Sequence, residues 1–244
     1  MQPNYFGARV ASRYDESEAE MFDPAVVEPT VEFLAALAGP GPVLELGIGT
    51  GRIAIPLAER GIRVHGIDLS SEMVERLRQK PSGDAIEVTI GDFATARLDG
   101  RFSLAYLVFN TIMNLTSVDQ QVACFQNVAA HLVPGGRFVI EVGVPQLQRL
   151  PPGETVRPFH VSETRLGFDE FDVATQRLTS HHYRMAEGQF EVCSIPFRYV
   201  WPSELDLMAR LAGMTLLERW GSWQREPFTR DSAKHISVWE KAPA

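Results

Sequence analysis

Three glycines and three acids carry most of the chemistry legible in this chain. Gly47, Gly49 and Gly51 fall as G-x-G-x-G between the apolar run "VLEL" and the helical stretch "RIAIPLAERG", so the backbone there can approach a ligand with no Cβ in the way. A dinucleotide fingerprint calls for glycine at position 52, where the chain has Arg52, and a phosphate loop calls for G-K-[ST], which is absent. Glu45 precedes the first glycine at the ligand edge of a buried strand, where it accepts hydrogen bonds from amines or hydroxyls and repels phosphate. Asp68 closes the next apolar run, where an acid can accept both hydroxyls of a ribose. Asp92 ends a third run beside Phe93, pairing an acceptor for an exocyclic amine with a ring that can cover a purine. Three acids and no phosphate loop suit a nucleoside without phosphates.

A second group lies further on. "YLVFNTIMNLTS" should open beyond a fourth strand at the mouth of the crevice, placing Phe109, Asn110 and Asn114 near reacting atoms, although Asn110 could equally cap the strand-to-helix turn. Candidate bases are Glu141, His160, the adjacent pair His181 and His182, and His235. Neighbours in a strand point to opposite faces, so only one of His181 and His182 can face a crevice. For His235 the plainer expectation is a partly exposed histidine at a sheet edge. No histidine pair has helical metal-ligand spacing, and no metal ion is expected.

These residues need a frame to hold them. "DPAVVEPTVEFLAALAGPG" reads as a helix with Val27, Val31, Leu34 and Leu37 on one apolar face. From "VLELG" the texture alternates strand and helix, with strands at "RVHGIDLS", "IEVTIGD" (86–92), "FSLAYLVFNT" (102–111) and "RFVIEVG" (137–143). Ser70 or Ser71 caps "SEMVERLRQK", and a helix runs from Val118 to Leu132 before the turn "PGG". Apolar strands separated by helices predict an α/β, doubly wound, mostly parallel sheet. Residues 156–200 instead predict a small antiparallel sheet, with "AEGQ" in a hairpin. A helix from Pro202 and two antiparallel strands, "MTLLERWG" and "AKHISVWEK", follow. The expected organisation is an N-terminal helical segment over residues 1–39, an α/β core over 40–148, an antiparallel insertion over 149–201 and a C-terminal helix with two strands over 202–244.

With 45% hydrophobic and 22% charged residues in 244, the chain predicts a folded globular protein. Its formal charge of -8 and lack of a basic run argue against a nucleic-acid partner. No stretch approaches a membrane span or a leader, and Cys124 and Cys193, far apart, read as buried thiols in a reducing compartment, so a cytoplasmic location is expected. A homodimer is possible on general grounds.

"ELGIGTGR", "GIDLS" and "GDF", in this order, resemble the class I S-adenosylmethionine-dependent methyltransferases over residues 40–143. The resemblance implies a seven-stranded sheet whose last strand is antiparallel. It implies that Gly47, Gly49 and Gly51 pass under the methionine part of S-adenosyl-L-methionine, that Asp68 holds the ribose, and that Asp92, Phe93 and Leu69 surround the adenine. Tyr14 in "RYD" would fold over the amino-acid end. The expected activity is methyl transfer to an N or O atom of a small aromatic or amine-bearing metabolite, with Asn110, Glu141, His181 and His182 as candidates on the acceptor side. A nicotinamide oxidoreductase and a non-catalytic binding protein are the competing readings. The first lacks the glycine at position 52 and the tyrosine and lysine of a reductase pair.

Overall fold

The computed structural model describes residues 4–186 and 188–243. Two short helices, α1 (Ala8–Ala11) and α2 (Tyr14–Ser17), lead through a 3-10 turn to α3 (Pro24–Leu37). Asp23 caps α3 by accepting the Ala25 N–H at 2.8 Å, Pro24 fits its first turn, and Gly39, with φ +63°, lets the chain leave it.

The core then alternates: β1 (Val43–Leu46), α4 (Ala54–Glu59), β2 (Val64–Asp68), α5 (Ser71–Arg78), β3 (Glu87–Ile90), β4 (Phe102–Leu107), α6 (Val118–His131) and β5 (Leu132–Gly143). After it come β6 (Val156–Val161), β7 (Arg165–Asp172), β8 (Arg177–Ala186), β9 (Gln189–Arg198), α7 (Pro202–Leu211), β10 (Met214–Trp220) and β11 (Lys234–Lys241). Ser70 caps α5, and Ser117 with Gln120 forms a reciprocal capping box on α6.

The main sheet has seven strands in the order β10-β11-β5-β4-β1-β2-β3. β1 to β5 pair in parallel, and β11 runs antiparallel to both β5 and β10. The chain winds outward from β1 to β3 and then returns to β4 on the other side of β1. That reversal opens a crevice beyond the carboxyl ends of β1 and β4, the place where open sheets bind ligands. Both faces of the sheet are covered. On one, Phe125 meets Phe138 and Trp239 edge to face at 5.1 and 5.5 Å, and on the other Leu34, Leu57, Leu77 and Tyr106 pack under α3 to α5. No helix among the described residues is long and apolar enough to cross a membrane.

The smaller sheet is antiparallel throughout, in the order β6-β7-β8-β9. Arg198, 4% exposed, ties it to the core by donating to Gln121 of α6 at 2.6 Å and Glu204 of α7 at 2.8 Å, and it also holds Gln176 of the β7–β8 turn at 2.9 Å.

Several local expectations shift. β3 stops at Ile90, two residues short of Asp92, because the Asp92 carboxylate accepts the Ala94 N–H at 2.9 Å and starts a turn. "PGG" is a wide bulge within β5: pairing with β4 jumps from Phe102–Leu132 to Leu104–Arg137. His235 is fully buried, since β10 and not β11 forms the sheet edge. Cys124 is buried, whereas Cys193 is partly exposed on β9. Of the "AEGQ" hairpin, Glu187 lies outside the described residues.

Candidate active site

The glycine turn leaves β1 with Gly47, Gly49 and Gly51 all left-handed, at φ +70°, +55° and +81°. The three differ in what they allow. A Cβ on Gly47 would meet Thr111 Cγ2 at 2.7 Å, so the turn can press against the loop after β4. A Cβ on Gly51 would meet Leu77 Cδ1 at 2.2 Å, so this glycine lets α5 pack close and does not line the crevice. Asp68 locks the turn in place, its two oxygens accepting the N–H of Gly49 at 2.7 Å and of Ser70 at 2.8 Å. Burial raises its carboxyl above the usual range, and those N–H groups draw it back. Each oxygen keeps a lone pair for a further donor.

Above the turn lies a cavity of about 260 Å³. Gly47, Gly49, Asp68 and Leu69 form one wall, Phe93 another, and Thr111, Asn114 and Thr116 a third. Tyr5, Phe6 and Tyr14 close it from the N-terminal segment, and Pro196 of β9 from the smaller sheet. The segment is pinned there: Ser70 Oγ donates to the Phe6 carbonyl at 2.7 Å, and Asp15 accepts from Thr50 at 2.6 Å and pairs with Lys80 at 2.5 Å.

Across Tyr14, Gly47, Gly49 and Thr111, which line both spaces, lies a recess of about 50 Å³ reaching Glu45, Thr50, Arg52 and Phe109. Glu45 is buried and accepts the Tyr106 hydroxyl at 2.7 Å. Burial pushes its carboxyl up to about 8, against the pull of the Tyr106 hydrogen bond and of Arg52. Burial likewise pushes the Tyr14 phenol up to about 12. The Arg52 guanidinium lies 5.2 Å from the Phe109 ring centre and donates to the Met21 carbonyl at 3.3 Å. An acid and a guanidinium sharing one recess are complementary to an α-amino acid zwitterion.

A second cavity, of about 210 Å³, separates α1 and α2 from the face of β7 to β9. It shares Phe6 and Tyr14 with the first, and His182 lines it.

The profile of a family described as "Methyltransferase domain" matches residues 43–136, which span the glycine turn, Asp68 and the β4 loop. The solved structure of the CcbJ methyltransferase from Streptomyces caelestis is 36% identical and superimposes with a TM-score of 0.88, each chain covered in full. The chain belongs to the class I S-adenosylmethionine-dependent methyltransferases. This methyltransferase is also 27% identical to the cypemycin N-terminal methyltransferase of a Streptomyces species, over 94% of its own length and 98% of that protein's. It shares its fold with S-adenosylmethionine-bound CalS10, an amino pentose methyltransferase from Micromonospora echinaspora, at 19% identity and a TM-score of 0.65, covering 88% and 90% of the two chains.

S-adenosylmethionine is the cofactor of this methyltransferase, and the residues present fit it. Gly47 and Gly49 line the cavity without side chains of their own, Asp68 keeps acceptor capacity, and the recess holds groups of both signs.

The remaining expected site residues fall in different places. Leu69, Phe93 and Tyr14 line the main cavity, whereas Asp92 bends back on its own turn and does not. Phe109 and Asn110 are both left-handed, at φ 57° and 60°. Glu141 holds this strained pair by accepting the Phe109 N–H at 3.1 Å, and its carboxylate is further taken by Trp223 at 3.1 Å and Lys234 at 2.6 Å. Asn110 is exposed and accepts the Gly143 N–H at 2.7 Å, so both residues brace the β4 loop from outside the cavity lining. Asn114, one 3-10 turn later, reaches the lining instead.

His181 and His182 take opposite faces, as the strand requires. His181 contacts Ser194 at 2.8 Å and Glu170 at 3.4 Å and packs on Phe168 at 4.9 Å. His182 faces the second cavity, its Nε2 3.2 Å from Ser180 Oγ and its ring 5.2 Å from Phe159. Burial, then Arg165, His181 and Arg184, lower His182 from its ordinary value, so it is neutral at pH 7. His160 is exposed on β6. His235 is pushed down to about 4 by burial and by Arg219 and contacts Ser237 at 2.8 Å, within the core.

Arg52, Thr111 and Ser70 were not singled out from sequence as site residues. The signal for Arg52 was available: it directly follows the third glycine, in the position that excluded a dinucleotide.

Proposed function

We propose that this enzyme methylates an amine nitrogen of a small natural product held in the second cavity, beside the cofactor. Glu45 and Arg52 receive the ammonium and carboxylate of the cofactor's amino-acid end, Asp68 its ribose hydroxyls, and Leu69 and Phe93 flank its adenine. Bound S-adenosylmethionine supplies an electrophilic methyl group on a sulfonium, open to in-line displacement.

The observation that carries the choice of nitrogen is the kind of base that lines the acceptor cavity. His182 is a neutral imidazole of depressed basicity, and the two carboxylates of the lining, Glu18 and Glu191, face arginines. Such a site is poorly equipped to ionise an alcohol or a carbon acid. An amine brings its own lone pair, so alignment and exclusion of water do most of the work. Tyr14 and Phe6 line both cavities and so stand between donor and acceptor. With Nε2 engaged by Ser180, Nδ1 of His182 is the atom that takes the proton shed by the methylated nitrogen. The cypemycin N-terminal methyltransferase and the amino pentose methyltransferase, by their names, support an amine acceptor.

The test is calorimetric titration with S-adenosylmethionine and S-adenosylhomocysteine, wild type against Asp68→Ala, followed by mass spectrometry of tyramine, glucosamine and alanylalanine after incubation. Saturable binding lost in the variant, with methyl gained on nitrogen, supports the reading. Methylation of the tyramine phenol in preference to its amine would overturn it.

A further inference from the structure

The face of the smaller sheet that looks down on α1 and α2 carries an excess of guanidinium. Arg165, Arg184 and Glu191 are register partners across β7, β8 and β9, and all three line the second cavity. Arg9 and Arg13 reach the same space from the N-terminal segment. Against these four arginines the lining sets two carboxylates, Glu18 and Glu191. Arg13 lies 3.9 Å from Glu191, and Glu18 is close enough to feel the charge of Arg165, but among the described residues no carboxylate is within ion-pair distance of Arg9, Arg165 or Arg184. Arg165 and Arg184 stand directly opposite one another, an arrangement that destabilises a sheet pair unless something of opposite charge sits between them. Concentrated positive charge in a cavity is notable in a chain whose formal charge is -8.

We propose that this cavity holds an anionic group of the acceptor, a carboxylate or a phosphate, bound by Arg165 and Arg184 from the sheet and by Arg9 from α1. The inference rests on the reading above that the acceptor enters beside Tyr14. Guanidinium groups present paired N–H donors that match two-oxygen anions, and the apolar side chains of Val10 and Ile195 in the same lining strengthen such contacts by excluding water. Phe6 and Tyr14 border the donor cavity, so an anion anchored under the sheet leaves the other end of the acceptor toward the methyl donor. The substrate class is therefore an amine that also carries an anion.

The test uses the full chain saturated with S-adenosylhomocysteine and two matched probe pairs, phenylacetate with phenylacetamide and phenyl phosphate with phenol, their affinities read by ligand-observed NMR. At least one anion should bind about 10- to 100-fold more tightly than its neutral partner, the range expected for charge-assisted hydrogen bonds. Which pair shows the difference separates a carboxylate from a phosphate. Replacing both Arg165→Gln and Arg184→Gln should erase the preference while the heat of S-adenosylmethionine binding stays unchanged. Equal affinity within both pairs, no binding of either anion, or a preference that survives in the double variant overturns the proposal. Failure of S-adenosylhomocysteine to bind, measured separately by calorimetry, counts against the donor-site reading alone.

Discussion

Glu45→Gln should remove a pH dependence that the wild-type fold carries. The buried carboxyl moves from an ordinary 4.5 to about 8, chiefly through burial. Between those values the folded chain keeps a proton that the unfolded chain has lost, so stability falls as pH rises through that window. From pH 5 to pH 7 this loss amounts to about 2–3 kcal/mol. Glutamine is nearly isosteric, its amide oxygen can still accept the Tyr106 hydroxyl, and it does not titrate. Other groups titrate alike in both proteins, so the difference between variant and wild type isolates this one. Urea unfolding followed by tryptophan fluorescence at pH 5 and pH 7 should show the gap opening by about 2–3 kcal/mol in favour of the variant at the higher pH. A gap that is equal at the two pH values would refute the reasoning. The proposed pairing with a ligand ammonium adds a second readout: at pH 7 S-adenosylmethionine binding should release close to one proton in wild type and none in the variant, measured as a dependence of binding heat on the buffer's ionisation enthalpy.

Arg198→Ala should cost about 3–5 kcal/mol, since it strands Glu204 without its buried partner, and limited proteolysis should then cut within residues 150–198 first. Burial raises the Glu204 carboxyl, but Arg198, the Trp201 N–H and Gln176 outweigh it and leave the group below its ordinary 4.5. Its stabilisation is therefore complete above that value and fades on acidification through the lower folded one. Gly51→Ala should lower the melting temperature, at a cost of about 1–3 kcal/mol, and Leu77→Ala in the same chain should recover part of the overlap term of that loss. His182→Asn should reduce kcat by about tenfold to a hundredfold, at or below the lower end of general-base contributions, and leave the affinity for S-adenosylhomocysteine unchanged.

The cofactor side of the crevice was legible because its signals are local. Glycines, the acid closing β2 and the Ser70 cap lie within a few residues of the bends they create, whereas Asp92 falls beyond the end of its strand. The acceptor side depends on distant partners. Nothing near Asn110 in sequence shows that its amide oxygen is taken by Gly143, although "FN" before a helix was a hint, since asparagine tolerates left-handed backbone. Glu141 reads as a base at a strand end until Trp223 and Lys234 arrive from beyond the insertion. Alternation alone placed His181 and His182 on opposite faces, but only packing of the smaller sheet on α1 and α2 decides which one looks inward. His235 was misjudged for a related reason: strand order cannot be read from strand texture, and β10 took the edge.

Among the described residues, none between 143 and 199 belongs to either main hydrophobic core. The smaller sheet is held instead by the Arg198 anchor and by its contacts over the crevice. The positions on β7 to β9 that look into the second cavity can consequently be exchanged one at a time with little effect on the sheet that holds the donor. If the acceptor enters there as proposed, a few substitutions at alternate positions of that face would change which acceptor is taken and leave the donor chemistry intact.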